Sequence, residues 1–442
     1  MMRTPLLLWA VASRSRYCHV HGKYIRDTDR GRHRETTASS PGGVTFRRGE
    51  LVVDVPGLGI RMCAGMSVDM IAMANRPVAG AWDSGLKFHS MPDGAAVFPT
   101  TDDGGYVYVS NSEMKEGLGG VYGLYFDGDG NVVDYRELLS GTTSNCGGGR
   151  TPWQTWISCE EYGSGQCWQV DPTNRRPPQI TKLGGPEGGV YESVAVDDRI
   201  SHQPTFYVSE DSETGALRRY TPPILYSNVT DSPIVNWNTL TADGGATEYL
   251  VFLDDTRFEW TTDERAARYS QSQYYRNVEG IHYNDRHLYF VSKKLSMLFI
   301  LDLDGGTYTS SSTKYGILPG GGDFGGTPDA ILNEGDYLYF TEDGGKTAGV
   351  YAVLRSTGER YAIFEAYDDV YKNDETTGLA FSPDGMKMYA AFQDCGCGNS
   401  EGGLDYTCGC LLEFSRHDGY SFDGSAPSLK FHLPERWEVE NV

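Results

Sequence analysis

"YVYVSNSE" (Tyr106–Glu113), "TWISCEE" (Thr155–Glu161), "TFYVSED" (Thr205–Asp211), "HLYFVSKK" (His287–Lys294), "YLYFTEDGG" (Tyr337–Gly345) and "MYAAFQD" (Met388–Asp394) are six versions of one strand. Each is rich in Tyr, Phe and Val, residues that sit well on a pleated sheet, and each ends in polar residues. After a short turn a second strand follows, as in "GVYGLYFD", "GQCWQVDP" and "GVYAVLR". Successive first residues are separated by 49, 50, 82, 50 and 51 positions. A recurring period of about fifty residues is that of four-stranded blades, and closing a ring of them protects every sheet edge. The repeat predicts an all-β chain folded as a six-bladed β-propeller, with a sandwich or open solenoid as the alternative. The long interval marks an insertion at about 223–270, placed over the pocket mouth or on the surface.

The chain is acidic, most of all where the repeats lie. Its formal net charge is −22, yet residues 1–48 hold ten Lys/Arg against three Asp/Glu, which leaves the remainder near −29. That sign argues against a nucleic-acid partner, whose phosphates require a basic surface, and fits one that collects cations. "MMRTPLLLWAVAS" has an Arg, a short apolar run and small residues, so residues 1–48 read as a signal-like segment with a disordered leader. Residues 49–442 then form the propeller. No apolar run reaches the length of a transmembrane segment. Nine cysteines and the acceptor "NVT" at Asn228 point to a secreted or extracytoplasmic protein, expected as a monomer.

Before each middle strand lies the strand that a propeller places against its central channel. Several of these begin with an acid: Glu192 in "YESVAVD", Glu279 in "VEGIHY", Asp329 in "TPDAIL" and Glu375 in "DETTGLAFSPDG". Blade one offers Asp93, and blade two offers Asn145 and Cys146. Carboxylates sharing one narrow channel repel unless protonated or neutralised, so the pattern predicts a metal-binding channel. Oxygen ligands suit calcium, while an added thiolate suits a softer, redox-capable metal. Spacing alone leaves open whether such a cluster is a hydrolase of phosphate esters or a structural calcium plug.

The long motif "DGNVVDYRELLSGTTSNCGGGRTPWQTWISCEE", with "YESVAVD", "VEGIHY", "TPDAIL", "TEDGG" and "ETTGLAFSPDG" in order, resembles the PhoX-type alkaline phosphatases. The likeness runs from about Asp83 to Arg416. It implies a six-bladed propeller holding calcium and iron that hydrolyses small phosphomonoesters, with a metal-bound oxygen as nucleophile and no general-base side chain. It further implies metal ligands at Cys146, Glu192 and Glu279, joined by Glu160, Asp329 and Glu375, with Glu161 as the other choice in "CEE". Asn111 and Arg276 are the implied phosphate contacts. Two positions depart from the family pattern: Ser112 stands where a histidine is expected, and Asn277 stands where an arginine would clamp phosphate. These departures favour an alternative, a non-catalytic calcium-binding propeller serving as a secreted binding or matrix protein. A third reading is a calcium-dependent lactonase-like hydrolase, which would not need Cys146.

"CGCGNSEGGLDYTCGC" arranges Cys395, Cys397, Cys408 and Cys410 about a Gly-rich loop. Nested disulfides fit this spacing better than a zinc site does. Cys159 and Cys167 flank the turn of blade two and are expected to pair.

Overall fold

The computed structural model describes residues 51–424, apart from 64, 101–103, 201, 224–232, 315, 318–322, 325, 345–347, 367–373 and 394–408. The signal-like start, Asn228, Cys395, Cys397 and Cys408 lie outside the described residues.

The fold is a six-bladed β-propeller. Blade one consists of Pro92–Pro99, Tyr106–Ser112, Gly119–Phe126 and Val132–Thr142, from the channel outward. Blade two begins with Asn145–Arg150 and Trp156–Gly165, and blade three with Gly189–Asp197 and Thr205–Glu210. The inner and middle strands of blade four are Val278–Asn284 and His287–Ser292. Those of blade five are Pro328–Glu334 and Tyr337–Glu342, and those of blade six are Thr376–Phe381 and Lys387–Phe392. Each inner strand packs against those of the blades on either side, and blade six meets blade one. The ring is therefore closed.

Closure uses both ends of the sequence. Met66–Met73, which precedes blade one, pairs antiparallel with Cys410–Arg416 and completes blade six from Cys410↔Met73 to Arg416↔Met66. Unwinding the ring thus requires breaking a full strand ladder between distant parts of the chain. Ile60–Cys63 adds to the outer edge of blade five, and Leu51–Val55 covers it in turn.

Strand alternation sends apolar side chains into the seams between blades. Tyr108, Leu124, Tyr389 and Leu411 fill the seam between blades one and six, where the Tyr106 and Tyr389 hydroxyls meet at 2.7 Å. Ile157, Val194, Phe206 and Val208 do the same between blades two and three. Because both faces of a middle strand are covered, these strands are apolar almost throughout, unlike a half-solvated sheet.

The interval 223–270 is not simply a loop. Ala246–Phe252 is the fourth strand of blade three, and Phe258–Thr261 adds a fifth. The helix Glu264–Tyr274 starts on Asp263, whose carboxylate caps the Ala266 N–H. Its buried Gln271 binds the carbonyls of Glu210 and Ser212 and the N–H of Leu217. The helix is thereby fastened beside the turn that holds Asp211. Among the described residues no helix is long and apolar enough to cross a membrane.

Candidate metal centre

One backbone hydrogen bond recurs in all six blades and fixes the site. The residue just beyond each middle strand, or partway along it in blade two, donates its N–H to a carbonyl at the start of the inner strand. The pairs are Glu113 to Met91, Glu161 to Ser144, Asp211 to Val190, Lys293 to Asn277, Asp343 to Thr327 and Gln393 to Glu375, at 2.7–3.1 Å. Immediately after each of these carbonyls the ladder slips, between Pro92 and Ala95, Asn145 and Gly148, Tyr191 and Val194, Val278 and Ile281, Pro328 and Ile331, and Thr377 and Ala380. A bulge in the same place of every inner strand re-aims a side chain.

Two rings of side chains follow from this repeated geometry. Two residues after the accepting carbonyls stand Asp93, Cys146, Glu192, Glu279, Asp329 and Thr377. The donating residues form the other ring: Glu113, Glu161, Asp211, Lys293, Asp343 and Gln393. Glu375 enters from the accepting position of blade six.

Three groups of ligand atoms converge, each with its members within 4.8 Å of one another: Glu113 with Cys146 and Glu161, Asp93 with Asp329 and Glu375, and Glu192 with Glu279 and Asp329. Asp329 belongs to the last two, which are therefore contiguous. Cys146 also lies close to Asp93, Glu161 to Asp211, and Asp329 to Glu375. Burial raises these acids first, and neighbouring carboxylates add to it. Asp329 is pushed up to about 6, Glu113 to about 7 and Glu161 to about 8. Asp93, Glu192, Glu279 and Glu375 lie well above the carboxylate range for the same reasons, and burial also lifts the Cys146 thiol. Without bound cations the centre holds protons instead.

The donor set fits cations. Glu192 Oε2 is buried without a hydrogen-bond partner, an arrangement costly unless something else satisfies it, and Glu279 Oε1, also buried, makes no directed hydrogen bond. Carboxylate oxygens suit hard cations, and Cys146 offers one softer ligand among them. Among the described residues the two rings carry a single cation. Lys293 Nζ lies 2.6 Å from Asp343 Oδ2 and 3.0 Å from Glu279 Oε1. Burial works against the charged ammonium, but Glu279 and Asp343 outweigh it and hold its pKa above the ordinary lysine value.

The loop "NCGGGR" shows why three glycines precede the strand. A Cβ on Gly147, Gly148 or Gly149 would collide with the carbonyl oxygens of Glu192, Ile157 and Val194 respectively. Only glycine lets blade two approach blade three closely enough to bring Cys146 to the carboxylates.

Several expected site residues stand elsewhere. Glu160 is turned away from the cage: its carboxylate accepts from the N–H groups of Thr143 and Gln166 and from Trp168 Nε1, at 2.9–3.1 Å. Its neighbour Glu161 is the one beside Cys146. Asn111 is fully buried. It donates to the carbonyls of Cys146 and Gly147 at 2.5 and 2.7 Å and accepts from Trp156 Nε1, so it fastens the cysteine loop. Arg276 Nε is spent on the Ser272 carbonyl at 2.6 Å. Asn277 has a left-handed backbone (φ 52°) and donates to Asp211. Ser112 donates to the Ser90 carbonyl. The Cys159 and Cys167 thiols face each other across strands at 3.6 Å but are not bonded, and no disulfide is present among the described residues.

Below the acids a cavity of about 220 Å³ follows the inner strands, from Asp93, Glu192 and Asp329 down to Arg150 and Tyr283.

Fold and side chains together define a propeller that gathers carboxylates and one thiol at the mouth of its channel. The model of the alkaline phosphatase PhoX family matches residues 132–192, the stretch carrying Cys146, Glu161 and Glu192. The structure of Pseudomonas fluorescens PhoX in complex with vanadate, a transition state analogue, superposes with a TM-score of 0.66 at 12% identity. The match covers 86% of this chain and 99% of that one. A gluconolactonase from Xanthomonas campestris reaches a TM-score of 0.41 at 12% identity, covering 85% of this chain and 99% of its own, a likeness too distant to argue from. No curated protein sequence matches significantly. The chain is thus PhoX-like in its fold and in its most distinctive segment.

Proposed function

We propose that the protein is a metal-dependent hydrolase of small phosphate monoesters. The observation that carries this reading is the convergence of three carboxylate and thiol groups on the inner ends of the blades, two of them sharing Asp329. The match of residues 132–192 to the PhoX family supports it. Calcium and iron are the cations we propose, calcium on the carboxylate groups and iron on the group with Cys146. Cations held there would polarise phosphoryl oxygens and acidify a water at neutral pH.

The chain's own residues prepare the site. Asn111 and the glycine run hold Cys146 in place. Glu192, Glu279 and Asp329 give up their protons as they accept a cation, so loading releases acid into solution. The bulged inner strands hold these groups on a rigid closed ring, which preserves the geometry between turnovers. No general-base side chain is required.

The test is turnover of a chromogenic phosphomonoester by protein loaded with calcium and iron, with Glu192→Gln in parallel. Hydrolysis that vanadate inhibits and Glu192→Gln abolishes is expected. Full metal loading with no hydrolysis of any phosphomonoester would contradict the reading and leave a calcium-binding propeller.

A further inference from the structure

Lys293 occupies a ring position that other blades fill with Glu, Asp or Gln. Its backbone is held as theirs is, by an N–H to carbonyl bond of 3.1 Å to Asn277, so it is not displaced from the ring. Its side chain is 29% exposed and runs inward between Glu279, of blade four, and Asp343, of blade five. Lys294, the next residue, points outward to Glu213 and is 58% exposed.

We infer that Lys293 is a built-in cation of the cage, competing with a divalent ion for the Glu279 carboxylate and so lowering the number of metal ions the protein holds. The inference rests on the cation-cage part of the reading above, not on hydrolysis. Two facts carry it. Glu279 Oε1 is 3.0 Å from the ammonium, and Glu279 is also a member of the group with Glu192 and Asp329. One carboxylate therefore faces two positive charges whenever a metal ion enters. The second fact is that Glu279 Oε1 makes no well-directed hydrogen bond, even to Lys293. An oxygen left without a directed donor is the one most open to a metal ion. At such separations the repulsion between an ammonium and a divalent ion is large in a partly buried site. Among the described residues the other acids of that ring, Glu113, Glu161, Asp211 and Asp343, make no ion pair except that of Asp343 with the same lysine.

The experiment is a calcium titration by calorimetry, with elemental mass spectrometry, on the chelator-treated full chain. Wild type is compared with Lys293→Met, Lys293→Arg and Lys294→Met. Lys293→Met should bind one more calcium per chain, or bind its calcium roughly tenfold or more tightly. Lys293→Arg, which keeps the charge, and Lys294→Met should both behave as wild type. Circular dichroism establishes that each variant is folded, and Lys293→Arg still decides the matter if Lys293→Met is not, since a gain on keeping the charge overturns the inference. Equal stoichiometry and affinity in all four proteins overturns it too, as does calcium binding to none. Since no ester enters these measurements, an inactive protein that gains calcium in Lys293→Met sinks only the hydrolase reading. An active one without that gain sinks only this inference.

Discussion

At the mouth end of blade two the chain places Cys146 and Glu161; at the same two backbone positions of blade four it places Glu279 and Lys293. Both blades bulge at the same point and share the same N–H to carbonyl bond. The backbone therefore supplies twelve aimed positions irrespective of side chain, and the local chemistry follows from what stands on them. Blade two offers a thiol and a protonatable acid to a cation. Blade four offers an acid already engaged by a lysine.

The largest effect expected from this contrast is on metal affinity. Glu161→Gln and Glu279→Gln each remove a carboxylate from a converging group, and each should weaken cation binding by roughly a hundredfold or more, at or above the top of the tenfold to hundredfold range typical of supporting residues. Elemental analysis after dialysis reads this, and unchanged content would remove the residue from the cage. The metal-free protein should also respond to pH. Asp329, Glu113 and Glu161 have folded pKa values of about 6, 7 and 8, raised above their unfolded values. The folded state thus binds more protons, so stability is greatest in acid and falls as pH rises through these values. Thermal unfolding from pH 5 to 9 checks the sign, and added calcium should flatten the curve. A metal-free protein that gains stability over that range would contradict the electrostatics.

Smaller effects separate the structural residues from the ligands. Asn111→Ala leaves two buried carbonyls and the Trp156 N–H unpaired, and should cost about 2–4 kcal/mol in urea unfolding. Glu160→Gln should cost about 1–3 kcal/mol with metal content unchanged, the reverse of Glu161→Gln. Arg276→Ala should change phosphate affinity by less than about twofold, because its Nε is committed to the Ser272 carbonyl. A larger loss would mean that the guanidinium swings into the mouth.

Much of this was readable in the sequence because one strand design is repeated six times. The period gave the propeller, and the acids heading the inner strands gave Glu192, Glu279, Asp329 and the position of Asp93. Glu160 and Glu161 were not separable that way. Their strand is covered on both faces from Trp156 to Glu160, so burial carries no alternation to say which side faces the channel. The donating ring was present as a column in the quoted repeats, where Glu113, Glu161, Asp211, Lys293 and Asp343 each follow the last strand residue or close it. It was hidden because polar residues there look like solvated turns, and a Lys-Lys pair looks most solvated of all. Asn111 has a part that the sequence does not show: its hydrogen bonds hold the cysteine loop.

The most direct measurement is the metal content of protein purified without chelator, taken together with that of Glu279→Gln. The account predicts tightly held cations in the wild type, including calcium, and at least one fewer per chain in the variant. A wild type free of metal after purification and after equilibration with calcium and iron would contradict it, and the converging acids would then be a proton store rather than a cage.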